Sequence, residues 1–300
     1  MTMHASSAPV SPALRLWRHF ASDKIALAGV LVLGALILLA LCAPWLVPQN
    51  PYDLSQLDIL DARLPPGSRS ADDQLLFWLG TDDQGRDMYS AIVHGMRISL
   101  GVGVAATLGA LVLGLALGLT AAYLGGKTDA AIMRLVDIQL SFPAILIALI
   151  LLAFFGQGLG KIIVALIAVQ WAYYARTVRS AALVEMGKEY IEAARCLHLS
   201  HRHIILHHLL PNCLPPLIVV AAMQVAAAIA LEATLSFLGL GLPITEPSLG
   251  LLISNGYAYL MSGKYWISFF PGMALLVMIV SINLVADRLR DVLNPKLQKQ

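Results

Sequence analysis

Histidine side chains offer the most versatile chemistry in this chain, because imidazole binds metal ions and exchanges protons near neutral pH. Five of the eight histidines fall between residues 198 and 208, namely His198, His201, His203, His207 and His208. His203 and His207 have the i, i+4 spacing of two metal ligands on one helix face. No glutamate follows His203, as a helical zinc-protease site requires, and no third ligand is evident. We expect a solvated or partner-facing cluster, with a metal site as the alternative.

A second candidate for chemistry is Gly126-Lys127-Thr128, which matches the last three residues of a phosphate-binding loop. The first glycine of that loop belongs at position 121, where this chain has Ala121, and an apolar segment precedes it instead of a strand. We therefore expect no ATP binding by this chain. No arrangement of Ser, His and Asp suggests a catalytic triad, so we predict no catalytic residues and no bound cofactor.

The amino-acid composition indicates whether the segments that carry these residues lie in water or in a membrane. Hydrophobic residues make up 58% of the 300 and charged residues 13%, and the mean hydropathy is +0.76. Soluble domains average roughly 45 to 50% apolar and 25% charged residues. The chain is therefore predicted to be an all-α, polytopic membrane protein. Its formal net charge of +2 gives no argument for nucleic-acid binding.

Six apolar segments are long enough to be transmembrane helices, given a hydrocarbon core of about 30 Å. They are residues 25–47, 98–122, 130–155, 162–183, 214–238 and 266–286. Pro143 is expected to kink the third helix, and Pro215 and Pro216 are expected to lie in the first turn of the fifth. The first segment is assigned as a transmembrane helix rather than a cleaved signal peptide, because its apolar core is too long.

Polar segments divide the chain into a tail at 1–24, the first helix at 25–47, a loop at 48–96, a core of five helices at 97–287 and a tail at 288–300. If the N-terminus is cytoplasmic, fourteen of the 20 lysines and arginines lie in inner segments and six in outer ones. This excess follows the positive-inside rule. We predict that both termini are cytoplasmic and that the 48–96 loop is extracytoplasmic.

The second predicted helix carries small residues at every fourth position, Ala110, Gly114, Gly118 and Ala122. Small residues at this interval allow another helix to approach closely. We interpret this stripe as a packing face for a helix of the same chain.

The polar segment 188–212 is predicted to form a cytoplasmic helical hairpin between the fourth and fifth membrane helices. Residues 189–197 favour a first helix with one apolar face. That face consists of Tyr190, Ala193, Ala194 and Leu197. Ser200 is a suitable N-cap for a second helix at 201–210, which Pro211 and Asn212 would end. Such a hairpin suits docking into a groove on another protein, with an ordinary interfacial loop as the alternative.

Residues 192–212, EAARCLHLSHRHIILHHLLPN, resemble the EAA loop of ATP-binding-cassette (ABC) importer permeases. The residues that match the recurring motif are Glu192, Ala193, Ala194, Leu210 and Pro211. His198 stands where that family usually has glycine, and a left-handed histidine there would cost about 1 kcal/mol. The resemblance implies that this loop is the coupling element seated on an ATPase subunit. The coupling residues would then be Tyr190, Glu192, Ala193, Ala194, Leu197 and His198.

Two further stretches resemble the dipeptide, oligopeptide and nickel class of these permeases, and specifically its second, C-type subunit. One is LGTDDQGRDMYSAIVHGMRISL at 79–100. The other is LSFLGLG at 235–241, followed by FFPGMALL at 269–276 and NLVADRLRDVLNPKL at 283–297. The resemblance covers about residues 17–297. It implies a type I ABC importer permease fold with six transmembrane helices in a bacterial inner membrane.

The resemblance also implies partners and a cargo. The partners would be a homologous B-type permease subunit, two ABC ATPase subunits that bind ATP and magnesium, an extracytoplasmic solute-binding protein, and membrane lipid. Peptides are the favoured cargo of this class. The stretch QWAYYARTVRS at 170–180 also resembles nickel-type members, so nickel or a metal chelate is the alternative cargo.

Polar residues within the apolar segments are candidates for a translocation pathway, since such residues in membrane helices usually have a function. Glu232 is the main candidate, and the alternative is that it pairs with a neighbouring helix. Weaker candidates are Gln139, Gln170, Gln224 and Asn283.

An ion pair is predicted at the inner end of the third helix. Asp137 follows Arg134 at the i, i+3 spacing of a helical ion pair.

Two other classes of protein stay open at this point. A secondary transporter would show inverted repeats and broken or charged helices at the membrane centre. No inverted repeat is evident, and Glu232 is the one ionisable candidate well inside an apolar segment. A membrane metalloenzyme would need a carboxylate to complete the histidine cluster.

Overall fold

The computed structural model describes residues 20–293 except Ile244 and Pro247. Within these residues the predicted all-α fold is confirmed, and a single pair of two-residue strands accompanies the helices. The helices are α1 (Lys24–Leu41), α2 (Ala43–Leu46), α3 (Met88–Leu124), α4 (Gly126–Ser141), α5 (Ala144–Phe155), α6 (Leu159–Met186), α7 (Glu189–Cys196), α8 (His201–His203), α9 (Leu210–Phe237), α10 (Leu249–Tyr257) and α11 (Trp266–Leu293). Residues 1–19 and 294–300, which make up most of the predicted tails, lie outside the described part.

All six predicted apolar segments lie on these helices. Among the described residues, four helices are long and apolar enough to cross a membrane, namely Lys24–Leu41, Met88–Leu124, His201–Phe237 and Trp266–Leu293. The bent pair α4–α5 gives a fifth if it counts as one span. Helix α6 has 28 residues but is not among them, because Lys161, Gln170 and Arg176 lower its mean hydropathy.

The third predicted helix is not a single kinked helix. Helices α4 and α5 meet at 93°, with the break at Phe142 and Pro143. Phe142 has extended backbone angles, φ −97° and ψ 144°, because the ring of a following proline disfavours the helical conformation. The expected kink is therefore a right-angle break that ends one helix and starts another.

The centre of the fold lies between α3, α6 and α9. Ala106 of α3, Leu166 of α6 and Leu235 of α9 belong to one buried apolar cluster. The small-residue stripe of α3 packs against α6. A Cβ atom on Gly114 would lie 2.4 Å from the Tyr174 Cβ, and one on Gly118 would lie 2.6 Å from the Ala175 carbonyl oxygen. The predicted close approach of a helix of the same chain is thus confirmed.

The loop between α1 and α3 is held together by hydrogen bonds rather than by regular structure. It contains two 3-10 turns, Leu54–Gln56 and Ile59–Asp61, and strand β1 (Ser68–Arg69) pairs antiparallel with β2 (Leu76–Phe77). Arg86 and Asp82 form a buried ion pair at 2.7 Å. Asp87 accepts a hydrogen bond from the Ser90 N–H at 2.9 Å and so caps α3. Helix α3 therefore begins at Met88, not at 98 as predicted from the apolar segment.

Candidate functional site

Helix α7 carries the matched Glu-Ala-Ala motif and ends in a left-handed residue. His198 has φ +53°, as expected for the residue that replaces a glycine. The Leu199 N–H donates to the Ala194 carbonyl at 3.2 Å, and the His198 N–H donates to the Arg195 carbonyl at 2.9 Å. These two bonds form a Schellman motif, the usual way to end a helix at a left-handed residue.

The predicted single apolar face of α7 is split in the structure. Ala194 is buried together with Ile191, in a cluster that reaches α6 and α9. Tyr190, Ala193 and Leu197 are exposed, and Leu197 keeps 74% of its surface. The prediction that Ala194 shares one face with Tyr190, Ala193 and Leu197 was wrong, because the helix packs against the chain through Ala194 and Ile191. Tyr190, Ala193 and Leu197 remain as an exposed apolar stripe.

The second part of the hairpin begins as predicted and ends differently. The Ser200 hydroxyl oxygen accepts a hydrogen bond from the His203 N–H at 3.3 Å and caps α8. Helix α8 continues through a π-helical segment, Ile204–Leu209, directly into α9. Pro211 does not end the helix, because the π-helical segment leads directly into α9 and Pro211 is the second residue of α9.

Pro215 and Pro216 lie inside α9, not in its first turn as predicted. The helix starts earlier than the apolar segment suggested. The Leu210 N–H donates to the Ile205 carbonyl, an i to i−5 bond that joins the π-helical segment to α9. The second half of the predicted hairpin and the fifth apolar segment are therefore one continuous helix from His201 to Phe237.

The histidine cluster consists of aromatic contacts. The rings of His203 and His207 are stacked with centroids 4.3 Å apart, and His208 packs edge-on against His203 at 5.6 Å. His201 is hydrogen-bonded through Nδ1 to the Tyr123 hydroxyl. Within the described residues, no group of three or more His, Cys, Asp or Glu side chains is arranged to hold a metal ion.

Two residues beside α7 were missed by sequence reasoning. Glu185 at the end of α6 accepts a hydrogen bond from the Tyr190 hydroxyl at 2.7 Å. Asn212 of α9 donates to the same hydroxyl at 3.2 Å. The charge of Glu185 was the only available signal, and its partner could not be read from the sequence.

A groove of about 500 Å³, lined mostly by apolar side chains, opens between α5, α6 and α9. Its polar lining consists of Gln170, Tyr173, Gln224 and Thr234. Gln170 Nε2 donates to the Gln224 carbonyl at 2.9 Å, whereas Gln170 Oε1 is buried without a hydrogen-bond partner. An unpaired buried acceptor costs about 1 to 3 kcal/mol of stability.

The other pathway candidates lie apart from this groove. Glu232 is fully buried and accepts hydrogen bonds from Ser99 at 2.9 Å and Ser236 at 2.8 Å. Gln139 Nε2 donates to the Ala168 carbonyl at 2.9 Å, which ties α4 to α6. Asn283 is exposed on α11. The structure therefore brings together Gln170 and Gln224 of the predicted set.

Ion pairs join α4 to α6. Arg179 Nη2 donates to Asp129 Oδ2 at 2.6 Å, and Arg176 pairs with Asp137. The predicted pairing of Asp137 with Arg134 was wrong, because Arg176 of α6 pairs with the Asp137 carboxylate. These pairs hold α4 against α6.

Comparison with known proteins identifies the class of this chain. Residues 89–299 match the family described as the binding-protein-dependent transport system inner membrane component. Residues 11–66 match the N-terminal transmembrane domain of oligopeptide transport permease C. The chain belongs to the family of inner membrane components of binding-protein-dependent transport systems, and it is a multi-pass permease subunit of the ABC importer type.

Relatives in this family resemble the chain over nearly its full length. The di/tripeptide transport system permease protein DppC of Pseudomonas aeruginosa (strain UCBPP-PA14) is 36% identical over 288 residues, which cover 96% of this chain and 93% of the relative. The dipeptide transport system permease protein DppC of Escherichia coli (strain K12) is 37% identical over 291 residues, covering 97% and 95%.

The fold is also similar to solved structures. The inward-facing MetNI methionine ABC transporter superposes with a TM-score of 0.56 at 22% identity, covering 69% of this chain and 98% of that one. An amino acid ABC transporter crystallised with histidines gives a TM-score of 0.51 at 14% identity, covering 67% and 94%. These likenesses confirm the ABC permease fold.

Proposed function

We propose that this subunit imports peptides, in a complex with a homologous B-type permease, two ABC ATPases and an extracytoplasmic binding protein. The observation that carries the proposal is the 36 to 37% identity, over nearly full length, to permeases named for dipeptide and di/tripeptide transport. ATP would be hydrolysed by the partner subunits, and this chain would hold neither ATP nor magnesium. Both termini would be cytoplasmic, as the excess of inner positive charge favours.

Helix α7 is the proposed docking element for an ATPase subunit. Its exposed stripe of Tyr190, Ala193 and Leu197 would enter a groove on that subunit, with Glu192 beside it. Short amphipathic helices commonly dock in this way. The buried residues Ile191 and Ala194 attach the helix to α6 and α9, so a movement of the ATPase would reach the membrane helices.

The groove of Gln170 and Gln224 is the proposed contribution of this chain to the translocation pathway. Four polar residues, Gln170, Tyr173, Gln224 and Thr234, line this groove within otherwise apolar helices. Polar residues in such helices usually have a function, and these suit a passage between two permease subunits. The hydroxyl of Tyr173, an exposed residue of the groove, can donate to the carbonyl oxygens of a passing peptide. The Thr234 hydroxyl donates to the Ala230 carbonyl, so its oxygen is left to accept from a peptide N–H.

Reconstitution of the complete complex in liposomes tests the proposed function. The binding protein is loaded with a radiolabelled dipeptide or with nickel, and ATP-dependent uptake is compared for the two. We expect peptide uptake that requires all four kinds of subunit. Nickel uptake without peptide uptake would assign the alternative cargo, and uptake that persists without the ATPases would contradict an ABC mechanism.

A further inference from the structure

Three elements meet at one hydroxyl group beside the coupling helix. Asn212 Nδ2 of α9 donates to the Tyr190 hydroxyl of α7 at 3.2 Å, and that hydroxyl donates to Glu185 Oε2 of α6 at 2.7 Å. The Asn212 amide also donates to the His208 carbonyl at 2.7 Å, which fixes its orientation. Lys188 Nζ donates to the other Glu185 oxygen at 2.6 Å. The hydroxyl of Tyr190 thus links α6, α7 and α9.

The groups around the Tyr190 hydroxyl keep it protonated, so that it can donate a hydrogen bond. Burial, and then the hydrogen bond to the Glu185 carboxylate, raise the pKa of Tyr190 to about 12. The phenol therefore stays protonated at physiological pH and continues to donate to Glu185. Only 12% of the Glu185 side chain is exposed, so water competes weakly for the carboxylate. The ring of Tyr190 also contacts the ring of His208 with centroids 6.1 Å apart.

The apolar contacts of α7 lack this directionality. Ile191 and Ala194 pack into a cluster of α6 and α9 side chains that includes Val178 and Leu217. The free energy of a hydrophobic contact is proportional to the apolar area buried and does not depend on direction. Such contacts therefore permit α7 to slide. Hydrogen bonds restrict distance and angle. The bonds of Tyr190 therefore fix the position of α7 along its apolar seat.

We propose that Tyr190 is a positioning residue that makes α6 and α9 follow the coupling helix, through Glu185 and Asn212. The proposal rests on the proposed function, in which α7 receives the movement of an ATPase subunit. Without the hydroxyl, α7 would still be seated by Ile191 and Ala194, but it would slide when the ATPase moves. ATP hydrolysis would then continue while transport falls.

The test uses the reconstituted four-component complex with a radiolabelled dipeptide, and it measures peptide transported per ATP hydrolysed. Tyr190→Phe and Asn212→Leu should each lower this ratio about tenfold. Basal ATPase activity should be unchanged in Asn212→Leu, because Asn212 lies outside the stripe that is proposed to dock on the ATPase. Tyr257→Phe, which removes a hydroxyl from α10 on the other side of the molecule, is the matched control and should keep the wild-type ratio. Because both residues act through one connection, the Tyr190→Phe, Asn212→Leu double variant should be no worse than the worse single variant.

Other outcomes contradict the proposal in separable ways. A wild-type ratio in both single variants overturns it and leaves the proposed function standing. A loss that only follows a lower melting temperature or lower recovery of the complex assigns these residues a structural role and also overturns it. Absence of ATP-driven peptide uptake by the wild type is a failure of the proposed function, and the positioning role then fails with it.

Discussion

Gly118 of α3 lies directly against the backbone of Ala175 in α6, close enough that a Cβ atom on the glycine would come within 2.6 Å of the Ala175 carbonyl oxygen. The nearest side-chain atom, Val178 Cβ, would be 2.8 Å away. Neither the backbone nor a β-branched Cβ can move aside without moving α6. This contact therefore sets the separation of the two helices at the centre of the fold.

Gly118→Val should force α3 and α6 apart. Overpacking a core usually costs about 1 to 3 kcal/mol, and the backbone of Ala175 cannot rotate away as a side chain can. We therefore expect a loss of stability of about 3 kcal/mol or more. Thermal unfolding of the detergent-solubilised chain measures the effect. Gly101→Val is the control, because a Cβ on Gly101 meets nothing within 4 Å. Equal melting temperatures for the two variants would show that the α3–α6 contact does not limit stability.

His198→Gly should stabilise the protein, because glycine adopts the left-handed conformation without the cost paid by histidine. The expected gain is about 1 kcal/mol. Arg202→Gly is the control, since Arg202 lies in helical α8 and glycine there should cost about 1 kcal/mol. The difference between the two variants is measured by thermal unfolding. A destabilised His198→Gly variant would show that the imidazole contributes more than its backbone costs.

Glu192→Lys should permit assembly of the complex but abolish the stimulation of ATPase activity by the loaded binding protein. The reversed charge would lie beside the exposed stripe that is proposed to dock on the ATPase. Co-purification and ATPase assays measure assembly and stimulation separately. Glu189→Lys changes charge on the same helix outside the matched motif and should retain stimulation. Wild-type stimulation in the Glu192 variant would contradict the coupling role.

Gln170→Leu should lower the rate of peptide transport without lowering the stability of the protein. Removal of an unpaired buried oxygen should leave stability equal or raise it by about 1 kcal/mol, although one hydrogen bond to the Gln224 carbonyl is lost. Peptide uptake should fall about tenfold, because Gln170 lines the groove that is proposed as part of the pathway.

Gln139→Leu is the comparison for the groove, because Gln139 also donates to a carbonyl but does not line it. This variant should lose stability and keep its uptake rate. If the Gln170 and Gln139 variants both take up peptide at the wild-type rate, the translocation pathway does not pass along this groove.

Local features were predicted well because they depend on neighbouring residues. The position of α7, the cap at Ser200 and the left-handed His198 follow from helix propensity, side-chain oxygen placement and replacement of a glycine. The close packing of α3 also followed from the spacing of its small residues. These signals all lie within one or two helical turns.

Features that depend on tertiary neighbours were not predicted. Ala194 was placed on one apolar face with Tyr190, Ala193 and Leu197, because helical periodicity predicts a face but not which side of it the rest of the chain covers. Asp137 was paired within its own helix, since the approach of Arg176 from α6 leaves no trace in the sequence. Asn212 was read as a helix end, whereas the π-helical segment before it carries the helix onward.

The continuous helix from His201 to Phe237 has a mechanical consequence. Its 37 residues, at about 1.5 Å each, correspond to about 55 Å of helix, which exceeds the roughly 30 Å of a hydrocarbon core. A tilt of about 5° at the His201 end would displace the Phe237 end by roughly 5 Å, the length of one helical turn. In the proposed function, a small movement of an ATPase subunit at the His201 end would therefore give a large displacement at the Phe237 end.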